Sequence, residues 1–329
     1  MQIYEEHDFV MIPLAMNAFF YNITVGTHKI KYSNSVSVGE KFLDIAIEYF
    51  EKIPEEKYII LDLQDTDYAF HLFEKLRIIM RPVIFINILS KSLSDKLKED
   101  LPTIQFSTDE KNAVLNMNFD DTIENVCLEY SSTIPHNIYV KIVRELIDDI
   151  PRNPIQPQKL DSSGLYSNMY VNIKRLFQYP EHYYSIAFGL AKKIVDSKIE
   201  YDGLISSSKN GALLANLLGM LLNKKVIHII GLGPKYSMNT GDLQKEIKKR
   251  KNYIYVFDFR CTGTEMKALL ALISANEAYV TGAAGIAVYK SDYIDIIDNN
   301  LMYLVDLKAE SIPYKIAGEK EDIIALLSM

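Results

Sequence analysis

"YIYVFDFRCTGTE", residues Tyr253 to Glu265, decides how this chain is read. Aromatic and β-branched residues alternate into Asp258. A short polar turn around Thr262-Gly263-Thr264 then opens on the helix-like run "MKALLALISA". A buried strand that empties into a small-residue turn at a helix start collects free backbone N–H groups at the positive end of a helix dipole. Such a corner can cradle phosphate with a carboxylate beside it. It is also an ordinary connection of α/β domains, and the stretch alone leaves both possibilities open.

The whole chain narrows the choice. Its 329 residues suit two domains, and 48% apolar with 24% charged residues suits a soluble protein with a sizeable core. A net charge of −7 repels phosphate backbones and anionic bilayers, which argues against a nucleic-acid or membrane partner. A small phosphorylated ligand stays open, since local donors can override a modest global charge. Cys127 and Cys261 lie far apart, and the six histidines form no HxH or HxxxH pair, so a reducing cytoplasm is the expected setting. Near the start, Glu5, Glu6 and Asp8 stand where a signal peptide would carry lysine or arginine, and Pro13 and Asn17 interrupt the apolar run. A buried first strand is expected there, and no run reaches transmembrane length.

Residues 1–130 read as a small α/β unit. Ser37 with Glu40 predicts a capping box, followed by Phe42, Ile45, Tyr49 and Ile53 at helical spacing. "KYIILDL" (57–63) and "PVIFINI" (82–88) predict strands, while "YAFHLFEKLRIIM" (68–80) and "SKSLSDKLKEDL" (90–101) predict helices. That order implies a parallel or mixed sheet with helices packed on it. The unit weakly resembles a STAS-like domain, with "IILDLQDTD" at that family's strand-to-loop segment. Asp62, Asp65 and Asp67 read as a solvated acidic loop rather than a metal set.

Between 131 and 158 the texture changes. "HNIYVKIVRELIDDI" (136–150) predicts a helix with Ile138, Ile142, Leu146 and Ile150 on one face. Pro151, Pro154 and Pro157 then forbid continuation, and this stiff linker is the expected domain boundary. From 159 to 329, strands and helices alternate. "YDGLISS", "KVIHIIGL", "NYIYVFDF", "AYVTGAAGIAVY" and "NLMYLVDL" are the strands, with "GALLANLLGMLL" and "TEMKALLALISA" among the helices. This pattern predicts a doubly wound parallel sheet. "GLGPKY" (231–236) lacks the third glycine and following helix of a dinucleotide fingerprint.

Successive segments of this second part are similar, in order, to one family. "LDSSGLYSNMYVNIKRL" (160–176) resembles the opening segment of orotate-phosphoribosyltransferase-like enzymes. "YDGLISSSKNGALLANLLG" (201–219) resembles their first strand, pyrophosphate loop and helix. "KVIHIIGLGPKY…KKRKNYIYVFDF" fits the strand, mobile loop and strand that follow. "VFDFRCTGTEMKALLALISANEAYVTGAAGIAVYK" (256–290) resembles the phosphoribosyl-pyrophosphate motif and its helix. The likeness runs over about 160–310 and implies a type I phosphoribosyltransferase fold.

The resemblance assigns roles. Cys261, Thr262, Gly263, Thr264 and Glu265 would hold a 5′-phosphate at a helix N-terminus, with Gly263 allowing close approach because it has no Cβ. Asp258 would accept from ribose hydroxyls. Ser207, Ser208, Lys209 and Asn210 would face pyrophosphate, Lys209 supplying positive charge and Gly211 letting the helix start tightly. This "SSSKNG" run can also be an ordinary βα turn with a solvated lysine. Tyr166, Tyr170 and Lys174 stand where a base or its phosphate would be flanked, or belong to the core. The segment 241–252, with five basic and two acidic residues, matches the family's basic loop or is a solvated helix. A homodimer through this domain is implied as well.

The departures from the motif are specific. Phe257 takes the place of the first of two adjacent acids, Cys261 replaces a threonine, and Glu265 stands at a final hydroxyl position. Losing a carboxylate weakens magnesium and ribose binding. Two functions follow. One is transfer of ribose 5-phosphate from phosphoribosyl pyrophosphate (PRPP) to a nitrogenous base, with Asp258 and Lys209 at the chemistry and magnesium as cofactor. The other is a nucleotide-sensing or scaffold protein that binds a nucleoside monophosphate and meets a protein partner through its N-terminal domain.

Overall fold

A computed structural model describes residues 1–24, 36–69, 73–131, 134–149, 158–159, 166–167, 169–229, 247–260, 263–290, 300–316 and 319–328. The chain divides into two compact units, Met1–Ile138 and Tyr139–Met329. The division falls inside helix α5 (Ile134–Leu146), ahead of Pro151, Pro154 and Pro157, which lie outside the described residues.

The first unit contains β1 (Tyr4–Glu5), β2 (Phe9–Pro13), α1 (Leu14–Thr24), β3 (Val36–Val38), α2 (Glu40–Phe50), β4 (Tyr58–Asp62) and β5 (Thr66–Ala69). It continues with β6 (Val83–Ile86), α3 (Lys91–Asp100), β7 (Gln105–Phe106), β8 (Ala113–Leu115) and α4 (Asp121–Tyr130). Its main sheet runs β1-β2-β4-β6-β8-β7, with β2, β4 and β6 parallel. After the short, unburied β1, β2 is buried throughout, and the chain turns straight into α1 after Pro13. There the Asn17 side chain accepts from the Gln2 amide at 2.7 Å and donates to the carbonyls of Gln2 and Pro13 at 2.9 Å each.

Three expectations for this unit are corrected. Ser37 does not cap a helix: it lies in β3 opposite Tyr68, and α2 starts from Gly39 without a side-chain cap. The helix expected over 68–80 is β5 followed by a 3₁₀ turn at Phe73–Ile78. Phe73 and Leu76 are buried while Ile78 and Met80 are exposed, so the apolar spacing serves one turn rather than a helix face. Asp62 is not solvated: it is buried, and its Oδ1 accepts from the Gln64 amide and Asn87 Nδ2 at 2.9 Å each.

The second unit contains β9 (Ile147–Asp149), β10 (Gln158–Lys159), β11 (Tyr166–Ser167), β12 (Met169–Val171), α6 (Pro180–Asp196), β13 (Gly203–Ser206), α7 (Lys209–Leu222) and β14 (Lys225–His228). After these come β15 (Asn252–Arg260), α8 (Thr264–Ala275), β16 (Tyr279–Lys290), β17 (Leu301–Ile316) and β18 (Glu319–Ser328). The sheet runs β10-β11-β18-β17-β16-β15-β13-β14, and its five adjacent strands from β17 to β14 are parallel. Within them the chain order is second, first, third, fourth, fifth, so the winding reverses between β13 and β15.

Helices cover both faces of this sheet. Met266, Leu269 and Ile273 of α8 join Tyr253, Tyr255 and Phe257 in one apolar cluster, while α7 packs on β13, β14 and β15. One more expectation is corrected here. The helix expected to reach 150 ends at Leu146, because 147–149 pair with β12 instead. Beyond the strand expected at "NLMYLVDL", β17 runs on to Ile316 and returns antiparallel as β18, with Pro313 opposite Asp322.

Candidate functional site

In open α/β sheets a ligand crevice forms beyond the C-terminal strand ends where the winding reverses, because the two flanking connections diverge there to opposite faces. In this unit that place lies between β13 and β15. The first strand leads through Ser207 and Ser208 into α7, and the second through 261–263 into α8. Two helix N-termini therefore flank the same crevice, each presenting amides without intrahelical partners.

Ser208 is the N-cap of α7, its Oγ accepting from the Gly211 amide at 2.9 Å. The same side chain reaches Asp258 Oδ1 at 3.5 Å, and Asn210 Nδ2 donates to Asp258 Oδ2 at 3.1 Å. Residues 48 and 50 positions apart are thus joined across the crevice by one carboxylate. Ser207 shares a 2.9 Å hydroxyl bond with Tyr255, and Lys209 is exposed. Beneath them, Ser206 Oγ lies 2.8 Å from His228 Nδ1, whose Nε2 is 2.9 Å from Asn216 Oδ1.

On the β15 side, alternation sends neighbours to opposite faces. Phe257 enters the apolar cluster, while Asp258 faces Asn210 and Ser208. Gly263 caps α8 with φ of +69°, a left-handed backbone that glycine adopts without strain. A Cβ at this position would lie 3.2 Å from Nε and 3.4 Å from Nη2 of Arg260. The close approach at Gly263 is therefore made by a guanidinium of this chain.

Glu265, in the first turn of α8, has its carboxyl held above the usual range by burial and then by the charge of Asp258. The Tyr255 hydroxyl is pushed up by burial, with Glu265 and Asp258 adding to the effect while Ser207 and Arg260 oppose it. Asp258, Glu265 and Arg260 thus all bear on one buried hydroxyl.

The structure brings together Ser207, Ser208, Asn210 and Asp258. Lys174 sits exposed in the 3₁₀ turn Ile173–Gln178. Cys261 and Thr262 lie outside the described residues, as do the side chains of Tyr170 and Thr264. The basic segment over 241–252 is described only from Ile247 onward. His228, Tyr255 and Arg260 were not singled out from sequence. Of these only Arg260 carried a signal there, a cation at the end of an apolar strand beside a glycine turn.

Magnesium is implied by the family resemblance. Among the described residues, no group of three or more His, Cys, Asp or Glu side chains gathers. Phe257 points away from the crevice, and Asp258 is already engaged by two donors, so this set does not fit a protein-built magnesium site.

Comparison with known proteins adds to this geometry. An orotate phosphoribosyltransferase of Campylobacter jejuni subsp. doylei is 28% identical over 126 residues, which make up 38% of this chain and 61% of that protein. Over that stretch the chain is similar to an orotate phosphoribosyltransferase. The match spans less than two-thirds of its relative's length. Among solved structures, orotate phosphoribosyltransferase from Aeropyrum pernix aligns at a TM-score of 0.39 and 15% identity, over 51% of this chain and 93% of its own. UMP synthase of Leishmania donovani aligns at a TM-score of 0.43 and 13% identity, over 89% of this chain and 58% of that one. No protein-family model matches the chain. The second unit has the expected α/β fold with a parallel sheet, and no helix among the described residues is long and apolar enough to cross a membrane.

Proposed function

We propose that the crevice between β13 and β15 binds a ribose 5-phosphate compound, either PRPP or a nucleoside 5′-monophosphate, and turns it over weakly or not at all. One observation carries this function: Asp258 stands where the winding reverses, between two helix N-termini, and its carboxylate is held by Asn210 and Ser208. Ribose hydroxyls would exchange for those donors, since a carboxylate accepts from several at once. Ser207 to Asn210 would meet the pyrophosphate end, and 261–265 the 5′-phosphate end.

Phe257 supports weak turnover. Its ring is buried in the apolar cluster, on the face away from Asp258, and offers magnesium no oxygen ligand. Any magnesium would arrive on the ligand's own phosphates. Active transfer to a nitrogenous base is the second possibility, favoured by the 28% identity to an orotate phosphoribosyltransferase. A homodimer through 159–329, a protein partner for 1–130 and a cytoplasmic setting belong to the same proposal.

Pyrophosphate release from PRPP with a panel of bases, with and without magnesium, separates the two. The proposal expects release near background in every case. Robust magnesium-dependent release would make the protein an active transferase.

A further inference from the structure

Arg260 ends β15 and is only 7% exposed. A guanidinium keeps its proton at any physiological pH, so it brings a fixed positive charge to this strand end. It also sits one turn from the place assigned above to a phosphate. Its Nε, Nη2 and Cζ lie 3.2, 3.4 and 3.7 Å from the point a Gly263 Cβ would occupy, so the planar group lies against the turn that feeds α8. Alternation along β15 puts Arg260 on the same strand face as Asp258.

Among the described residues, Asp258, Glu265 and Arg260 are charged groups that act on the Tyr255 hydroxyl. Asp258 and Glu265 raise the Tyr255 hydroxyl, Arg260 lowers it, and Glu265 is itself biased toward its neutral form. Without Arg260, a phosphate at the α8 end of the crevice would meet the carboxylates of Asp258 and Glu265 without a cation on β15 to offset them. With it, one of the two carboxylates is offset before the two helix N-termini are considered.

We propose that Arg260 is a binding residue for the ligand's 5′-phosphate, and that it lets this crevice accept a phosphate monoester despite the carboxylate at position 265. This rests on the proposed binding of a ribose 5-phosphate compound. The guanidinium offers its donors as a planar fork matched to phosphate oxygens, where backbone amides alone would face Glu265 unaided.

The test uses the full chain and ribose 5-phosphate, with ribose as the uncharged control. In calorimetric titration, Arg260→Met should weaken ribose 5-phosphate binding at least tenfold, and Arg260→Lys should recover part of the loss. Because a buried arginine can also matter for folding, the unmodified protein supplies a second readout. The Arg260 Nε–H resonance, assigned by its loss in Arg260→Lys, should move on adding ribose 5-phosphate and stay fixed with ribose. Ribose 5-phosphate that binds without moving the resonance, or binds equally to a folded Arg260→Met, overturns the role of Arg260 alone. No binding to the unmodified protein overturns the proposed function as well.

Discussion

The ring of Phe257 occupies the space that a side chain on Gly285 would fill. The two residues are partners in the parallel register of β15 and β16, and a Cβ on Gly285 would collide with Cε2, Cδ2 and Cζ of the ring. Phe257 is 2% exposed, stacks on Tyr255 with ring centroids 5.7 Å apart, and packs in the cluster that holds Met266 and Leu269. Phe257, which stands where the motif this segment resembles carries an acid, is therefore built into the core, with a glycine on the next strand making room for it.

Restoring the motif's acid should then fail as a repair. Phe257→Asp places a carboxylate in the apolar cluster, on the face opposite Asp258, and should destabilise the chain by about 3 kcal/mol or more. Gly285→Ala should cost about 1–3 kcal/mol by overpacking against the same ring. Urea unfolding measures both. Chelating magnesium should change ribose 5-phosphate affinity of the unmodified protein less than about threefold, because the described residues supply no magnesium cage. A Phe257→Asp variant of unchanged stability with new magnesium-dependent binding would show that the side chain reaches the crevice.

Gly263 should be intolerant of a β-branched side chain for two separable reasons. Its φ of +69° strains any residue with a Cβ, by about 1–2 kcal/mol. The added atoms would also press on the Arg260 guanidinium. Gly263→Val should thus lower the unfolding midpoint and weaken ribose 5-phosphate binding together. Gly263→Val on an Arg260→Met background should add little further loss of binding, since the guanidinium it displaces is gone. Additive losses of binding would mean that glycine is needed by the phosphate itself.

The sequence made the central corner readable because its signals are local. Tyr253, Tyr255 and Phe257 alternate in the apolar cluster, and Met266, Leu269 and Ile273 repeat at helical spacing behind them. Signals failed where tertiary pairing overrode them. Ser37 had the right neighbour for a capping box, yet its backbone was taken by a strand partner at Tyr68. β18 escaped notice because its hairpin partner contains Pro313, which argues against a strand, and its own start is charged. The contacts of Asp258 with Asn210 and Ser208, and of Ser207 with Tyr255, depend on how β13 and β15 lie side by side. No periodicity within either segment encodes that register.

Glu265 gives the pH dependence a sign. Its carboxyl titrates above the ordinary value of 4.5 in the folded chain, first through burial and then through Asp258. Between the ordinary and the raised value, the folded state binds more protons than the unfolded state, so stability falls as pH rises through that window. Above it the loss is complete and constant. Glu265→Gln removes the titration and should therefore show a higher urea midpoint than the unmodified chain at pH 8, with the two converging near pH 4. A glutamine variant that is less stable at pH 8 would mean that the charged carboxylate is the stabilising form.

Asp258 is the most direct test of the whole account, because the ligand is proposed to be read by the carboxylate that now joins β13's loop to β15. The measurement is a calorimetric titration of PRPP and a nucleoside 5′-monophosphate into the unmodified chain and into Asp258→Asn. Asparagine keeps the size and one acceptor but loses the charge and the second carboxylate oxygen. Saturable binding to the unmodified chain is expected, with affinity falling by about tenfold or more in the variant, the size of a lost hydrogen bond to a charged group. No binding to the unmodified chain, or equal affinity in a folded Asp258→Asn, would contradict it.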